Sequence, residues 1–144
     1  MDKKELIERA LAARDKSYSP YSGYRVGAAL LCADGSVFTG ANIENASYGA
    51  TVCAERCAVF AAVMAGSTDI VSIAVCGGRY DETDVLSGYA YPCGICRQVL
   101  REFADPSSFT VIVARSTDDY REYTLEELLP ESFGPEHIKQ NRRT

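Results

Sequence analysis

Three cysteines fall in two short motifs far apart in the chain, Cys53-Ala54-Glu55-Arg56 and Pro92-Cys93-Gly94-Ile95-Cys96. A soft divalent ion such as zinc gathers thiolate ligands into a tetrahedron. For one ion to use all three sulfurs, the chain must run out from the first motif and return to it with the second. His137 is the only histidine, so a histidine-rich centre is excluded. Three protein thiolates leave one tetrahedral position for a water, whose pKa the metal lowers toward neutrality. Glu55 is a carboxylate fixed beside that position and able to move protons. These parts suit a hydrolytic site rather than a metal staple.

Cys53, Cys93 and Cys96 each fall near the expected start of a helix, where free backbone N–H groups and the helix dipole favour a thiolate. Three thiolates on a divalent ion carry a net negative charge, which Arg56 is placed to offset. Within a regular helix, Glu55 would lie roughly 200° around the axis from Cys53. Both can face one pocket only if they sit in an irregular first turn. Cys57, one turn after Cys53, is either a competing ligand or a small core residue, and the core reading is preferred. Cys32 and Cys76, at the ends of expected buried strands, read as core.

The chain alternates helices with buried strands. Asp2 and Glu5 form a capping-box pattern before an amphipathic helix over residues 3 to about 15. Ser17 to Gly23 reads as loop, Val26–Cys32 as a buried strand, Ala33-Asp34-Gly35-Ser36 as a hairpin turn and Val37–Thr39 as its partner strand. Asn42 to Tyr48 is polar loop. A helix over about Cys53 to Ala65 carries Cys57, Ala58, Ala61 and Ala62 on one stripe and stops at Gly66. Ile70–Val75 is a second buried strand, and Gly77 to Tyr91 a loop. Pro92 opens a helix with Ile95, Val99, Leu100 and Phe103 as its apolar stripe. Phe109–Ala114 is a third buried strand and Arg121-Glu122-Tyr123 a short edge strand. Thr124 and Glu127 cap a last short helix ended by Pro130, and residues 134–144 form a polar tail. This order implies an α/β/α layered fold around a mixed sheet, with residues 1–144 as one domain.

Composition removes several classes. Net charge is −5, with a sequence pI of about 4.9, and no basic stripe suited to a nucleic-acid polymer appears. No apolar run reaches the length needed to span a bilayer. The first residues have no signal-peptide character, so a cytoplasmic protein is expected. Six cysteines could form a disulfide framework. A chain that is 47% hydrophobic has core enough to need no such staples. A redox Cys93-Cys96 pair lacks a thioredoxin-like context.

At these residues the chain resembles the cytidine deaminase family in its small, all-cysteine zinc form, whose general pattern is a His or Cys, x-Glu, then Pro-Cys-x-x-Cys. The resemblance extends to Pro20-Tyr21-Ser22, Val26-Gly27-Ala28-Ala29-Leu30-Leu31, Asn42-Ile43-Glu44-Asn45-Ala46, Cys96-Arg97-Gln98, Glu126-Glu127-Leu128-Leu129-Pro130 and Ser132-Phe133-Gly134-Pro135. It implies a three-layer α/β/α sandwich with a five-stranded mixed sheet. It also implies a homotetramer with active sites at subunit contacts and one Zn²⁺ per subunit on Cys53, Cys93 and Cys96. The implied reaction is hydrolysis of cytidine or deoxycytidine to uridine or deoxyuridine with release of ammonia, in pyrimidine salvage. Glu55 would act as both base and acid.

The resemblance further assigns Asn42 and Glu44 to the ribose hydroxyls, Tyr24 to the pyrimidine ring, the Ala54 backbone to the base and Phe133 to a neighbouring subunit's site. Tyr48 is a candidate at a subunit contact. The chain departs from the family at Ile95 for alanine, Tyr91 for serine, Cys57 for threonine and Ala41 for cysteine, and its 77–91 loop is longer than is common. These departures bear on the shape of the base pocket. The alternatives are a deaminase of a cytosine-bearing nucleoside antibiotic of the blasticidin type and a non-catalytic structural zinc protein. The latter would use Cys57 as fourth ligand.

Overall fold

A computed structural model describes residues 1–138. Helix α1 spans Lys3–Arg14. The Asp2 carboxylate caps it by accepting from the Glu5 amide at 2.9 Å, satisfying an N–H that a helix start leaves free. Strands β1 (Tyr24–Cys32) and β2 (Val37–Ala41) form the hairpin. Helix α2 (Ala54–Met64), strand β3 (Ile70–Arg79), helix α3 (Gly94–Phe103), strands β4 (Thr110–Ser116) and β5 (Asp119–Thr124), and the short helix α4 (Leu125–Leu128) follow. Single 3-10 turns lie at Tyr48–Ala50 and Pro135–His137.

The five strands form one mixed sheet in the order β2-β1-β3-β4-β5. Strands β3 and β4 are parallel, joined through α3, and the other pairs are antiparallel. A parallel pair needs such a crossover, whereas antiparallel neighbours join by short turns. Alternation along the strands divides the core in two. Ala28, Leu30, Ile73, Val75, Val111 and Val113 pack with Ala54, Ala58, Val59 and Ala62 of α2 and Leu100 of α3. Ala29, Ala74, Cys76, Ile112 and Ala114 pack with Leu6, Ile7 and Ala10 of α1. With both faces covered, the central strands read as continuous apolar runs. The three-layer α/β/α arrangement with five strands matches the expectation.

Helix α2 rests on β2 at backbone distance. A Cβ placed on Gly40 would stand 2.4 Å from the Ala54 carbonyl oxygen and 2.6 Å from the Ala58 nitrogen. Only glycine permits that approach, and it brings the start of α2, with Cys53 and Glu55, down onto the sheet.

Several expectations need correction. Strand β3 continues through Gly77 and Gly78 to Arg79, so Cys76 lies inside the strand rather than at its end. Strand β5 is a full edge strand over Asp119–Thr124, paired with β4. The buried face of α2 is Ala54, Glu55, Ala58, Val59 and Ala62, which leaves Cys57 half-buried and Ala61 exposed. The sheet contacts the helix one position around from the expected stripe. Ile95 is 62% exposed, because α3 turns Cys96, Leu100 and Arg101 inward instead. Part of the supposed tail is docked: Gly134 is buried, and Glu136 forms an ion pair with the buried Arg101. Residues 139–144 lie outside the described residues.

Candidate metal centre and catalytic pocket

Two helix starts build the centre. Cys53 is the N-cap of α2, with an extended backbone (φ −73°, ψ 156°), and Cys93 is the N-cap of α3 (φ −69°, ψ 169°). Because Cys53 precedes the helix proper, the rotation that separates Cys53 from Glu55 in a regular helix does not apply. Cys96 follows in the first turn of α3, and its amide donates to the Cys93 sulfur at 3.5 Å. Each sulfur therefore sits where unsatisfied N–H groups gather.

The three sulfurs converge. Cys53 Sγ lies 3.8 Å from Cys93 Sγ, and Cys93 Sγ lies 3.5 Å from Cys96 Sγ. All three ligand atoms fall within 4.8 Å of one another, in a cluster to which Cys57 does not belong. A tetrahedron of Zn–S bonds near 2.3 Å has sulfur–sulfur edges of about 3.8 Å. The separations fit that edge and are far too long for a disulfide. The donor set therefore suits a tetrahedral soft metal with one position left for a non-protein ligand.

Electrostatics around the cluster favour thiolates. The Cys53 thiol is pulled down to about 5 by hydrogen bonding with Cys96 and then by the Arg56 guanidinium and Cys93. Cys96 moves the opposite way, held up chiefly by that same bond to Cys53 and by burial. The two thiols titrate as a coupled pair, with Cys53 drawn down and Cys96 held up. Arg56 Nη2 approaches Cys53 Sγ at 3.5 Å, and its own pKa rises because it bonds to that sulfur.

Glu55 is buried, at 4% exposure. Burial pushes its carboxyl up to about 7, against the smaller opposing effects of its own backbone amide and Arg56. A carboxyl poised near neutrality can both take and return a proton at working pH.

Cys53, Ala54, Glu55 and Cys93 open onto a cavity of about 360 Å³, which Tyr24 and Asn42 also line. Its remaining walls are Val26, Thr51, Val75, Tyr89, Ala90 and Tyr91. Of these, only Tyr91 stood out in the sequence, as a departure. Nothing in the spacing of Thr51, Tyr89 or Ala90 signals a pocket.

Asn42 is largely committed to the scaffold. Its Nδ2 donates to the Tyr24 carbonyl at 2.8 Å, and its Oδ1 accepts from the Val26 amide at 2.9 Å and the Ser17 hydroxyl at 2.5 Å. One amide N–H remains for another partner.

Three of the expected substrate-binding residues lie outside this cavity. Glu44 and Tyr48 line an adjoining one of about 400 Å³ with Tyr21, Ser22 and Asn45, and Thr51 borders both. The Glu44 carboxylate is fixed by the Tyr21 amide at 2.9 Å and by Ser22, whose hydroxyl and amide hold its pKa below the usual carboxylate range. Phe133 is 57% exposed and stacks on His137, with ring centroids 5.4 Å apart.

A layered α/β fold with a three-thiolate centre, a buried carboxyl and an open cavity defines a metal-dependent hydrolytic enzyme. Residues 1–112 match the family model of the cytidine and deoxycytidylate deaminase zinc-binding region. A cytidine deaminase of Halalkalibacterium halodurans is 47% identical over 138 residues, covering 96% of this chain and 98% of that one. One of Sporosarcina psychrophila is 41% identical over 138 residues, covering 96% of each. The crystal structure of cytidine deaminase from Burkholderia pseudomallei superposes with a TM-score of 0.82 at 44% identity, covering 92% of this chain and all of that one. The chain belongs to the cytidine and deoxycytidylate deaminase family, and zinc is the metal that its thiolate cluster suits.

Proposed function

We propose that this protein hydrolyses the exocyclic amine of cytidine and deoxycytidine, giving the uridine product and ammonia. The observation that carries the reading is a buried Glu55 opening onto the same cavity as Cys53 and Cys93. Cys53, Cys93 and Cys96 hold the zinc ion, which when bound supplies a Lewis acid that makes water a nucleophile near neutral pH.

The chain's own residues do the rest. Glu55 takes one proton from the attacking water and delivers it to ring nitrogen N3, then takes the second from the new C4 hydroxyl and passes it to the amine as the C4–N bond breaks. One carboxyl serves both roles because burial holds it near neutrality. The Ala54 backbone, at the start of α2, meets the base, and the Tyr24 ring packs against the pyrimidine. Asn42 spends its remaining N–H on a sugar hydroxyl, and Glu44, already oriented by Tyr21 and Ser22, accepts from another. Arg56 offsets the charge of the thiolate cluster.

The same reading makes residues 1–144 one catalytic domain within a homotetramer. Phe133 and Tyr48, both exposed, then contribute at subunit contacts, Phe133 to a neighbour's site. Three thiols kept reduced for a metal suit a reducing compartment, which supports a cytoplasmic enzyme.

Running the reaction in ¹⁸O-labelled water tests the chemistry. The reading expects one labelled oxygen at C4 of the uridine and one ammonia per uridine. Product without label would overturn the hydrolytic assignment. Sedimentation equilibrium tests the tetramer, which a monomeric mass would exclude.

A further inference from the structure

The 80–91 segment supplies three residues, Tyr89, Ala90 and Tyr91, to the wall of the catalytic cavity. A loop of this length invites comparison with a lid, yet it is pinned along its course. Near its start, Glu82 accepts from the Arg79 amide at 2.7 Å and from the Ser87 amide at 2.6 Å. At Leu86 the backbone pairs with Arg115 in both directions: the Leu86 amide donates to the Arg115 carbonyl at 3.0 Å, and Arg115 Nε donates to the Leu86 carbonyl at 2.7 Å. Ala90 packs over Gly77 of β3, where an added Cβ would stand 2.7 Å from Ala90 Cβ and 3.0 Å from the Tyr24 hydroxyl.

The last anchors come from the edge strand β5. The Tyr89 hydroxyl donates to Asp119. The Arg121 guanidinium lies 4.3 Å from the Tyr89 ring centroid and donates to the Tyr91 hydroxyl at 3.2 Å. Tyr91 and Tyr123 meet edge to face, with centroids 5.9 Å apart and hydroxyls 3.3 Å apart. Arg121 thus holds both tyrosines that flank Ala90, one by its face and one by its hydroxyl.

We propose that Tyr91 is a specificity-determining residue and Arg121 a positioning residue. Strand β5 braces the 89–91 wall into a fixed shape that excludes cytosine nucleosides enlarged on ring carbon C5. The proposal rests on the deamination reading. With C4 at the thiolates and N3 at Glu55 of α2, the amine and C5 turn away from α2. They face the side built by Cys93 and the residues before it. A packed wall there rejects added bulk, whereas a mobile lid would yield to it.

The test compares kcat/KM for 5-iodocytidine and cytidine in zinc-loaded wild type, Arg121→Ala, Tyr123→Phe and Tyr91→Ser. Lost stability or lost zinc lowers both rates together, so only the ratio reads the wall. The ratio should rise about tenfold in Arg121→Ala, the scale on which a pocket discriminates one small apolar group. It should rise at least as much in Tyr91→Ser, which removes the wall residue's ring, and less in Tyr123→Phe, which removes a single hydroxyl. An unchanged ratio in Tyr91→Ser, or in both Arg121→Ala and Tyr123→Phe, overturns the proposal. If Arg121→Ala does not fold, Tyr123→Phe decides in its place. The ratio of the two dissociation constants, read by calorimetry with the same substitutions in a Glu55→Gln background, decides the wall without turnover. Failure of wild type to turn over cytidine would therefore count against the reaction alone.

Discussion

Arg56 Nη2 stands 3.5 Å from Cys53 Sγ, in the first turn of the helix that Cys53 caps. The contact joins the positive end of α2, a cation and a thiolate at one point. It gives three sulfurs on a divalent ion the compensating charge they need. Arg56 Nε is buried without a hydrogen-bond partner among the described residues, so the guanidinium is committed to the cluster rather than to the scaffold.

Replacing Arg56 with glutamine removes that charge while keeping most of the volume. Partners of metal ligands typically contribute 10- to 100-fold in metal affinity or activity. Arg56→Gln should therefore weaken zinc affinity or turnover by about that range, with the circular dichroism spectrum unchanged. Competition with a chromophoric chelator measures the affinity. Wild-type affinity together with wild-type turnover would remove Arg56 from the site.

Chelation should abolish turnover, and added zinc should restore it. In the metal-free protein the Cys53 thiol is drawn down to about 5 by hydrogen bonding with Cys96 and by the Arg56 guanidinium. Iodoacetamide at neutral pH should therefore label Cys53 first after chelation and spare it when zinc is bound. Peptide mapping reads the order. Labelling that ignores the metal would show that Cys53 is not a ligand.

The docked 134–138 segment should respond to acid. The Arg101 guanidinium holds the Glu136 carboxyl down at about 2, below its ordinary value of 4.5. A depressed carboxyl stabilises the docked form above pH 4.5, and that contribution is lost as pH falls toward 2. Protection of the amides in residues 134–138, measured relative to the intrinsic exchange rate at each pH, should thus fall between pH 4.5 and 2, ahead of the sheet. Arg101→Met should produce the same loss of protection at neutral pH.

Substituting Gly40 tests how α2 is seated. Alanine there would set a Cβ 2.4 Å from the Ala54 carbonyl oxygen, and neither backbone can yield without moving the helix. Overpacking of this kind costs about 1–3 kcal/mol. Gly40→Ala should lower the melting temperature and reduce zinc occupancy together, because the same shift moves Cys53. Calorimetry and metal analysis on one sample check both.

Metal chemistry makes the cysteine motifs legible in the sequence. Few residue types bind zinc, and helix starts favour their charged form. The layered fold is legible because strands buried on both faces carry unbroken apolar runs. The end of β3 is not, because Gly77-Gly78 reads as loop. The structure uses those glycines inside a strand, where Tyr24, Ala90 and Leu86 cross at close range. The placement of Glu44 and Tyr48 in an adjoining cavity depends on the turn at Tyr48–Ala50, which no periodicity announces. Tyr89 and Ala90 join the cavity through tertiary anchors from β5, and local spacing carries no trace of those.

The central claim is that Glu55 moves the protons at a zinc site built by three cysteines. The most direct measurement is ammonia and uridine release from cytidine by zinc-loaded wild type and Glu55→Gln, each with its zinc content determined. Equal zinc in both proteins is expected, with turnover lower in the variant by at least about 100-fold, the lower bound for removal of a general acid–base group. Undiminished turnover by a fully zinc-loaded Glu55→Gln protein would contradict the claim.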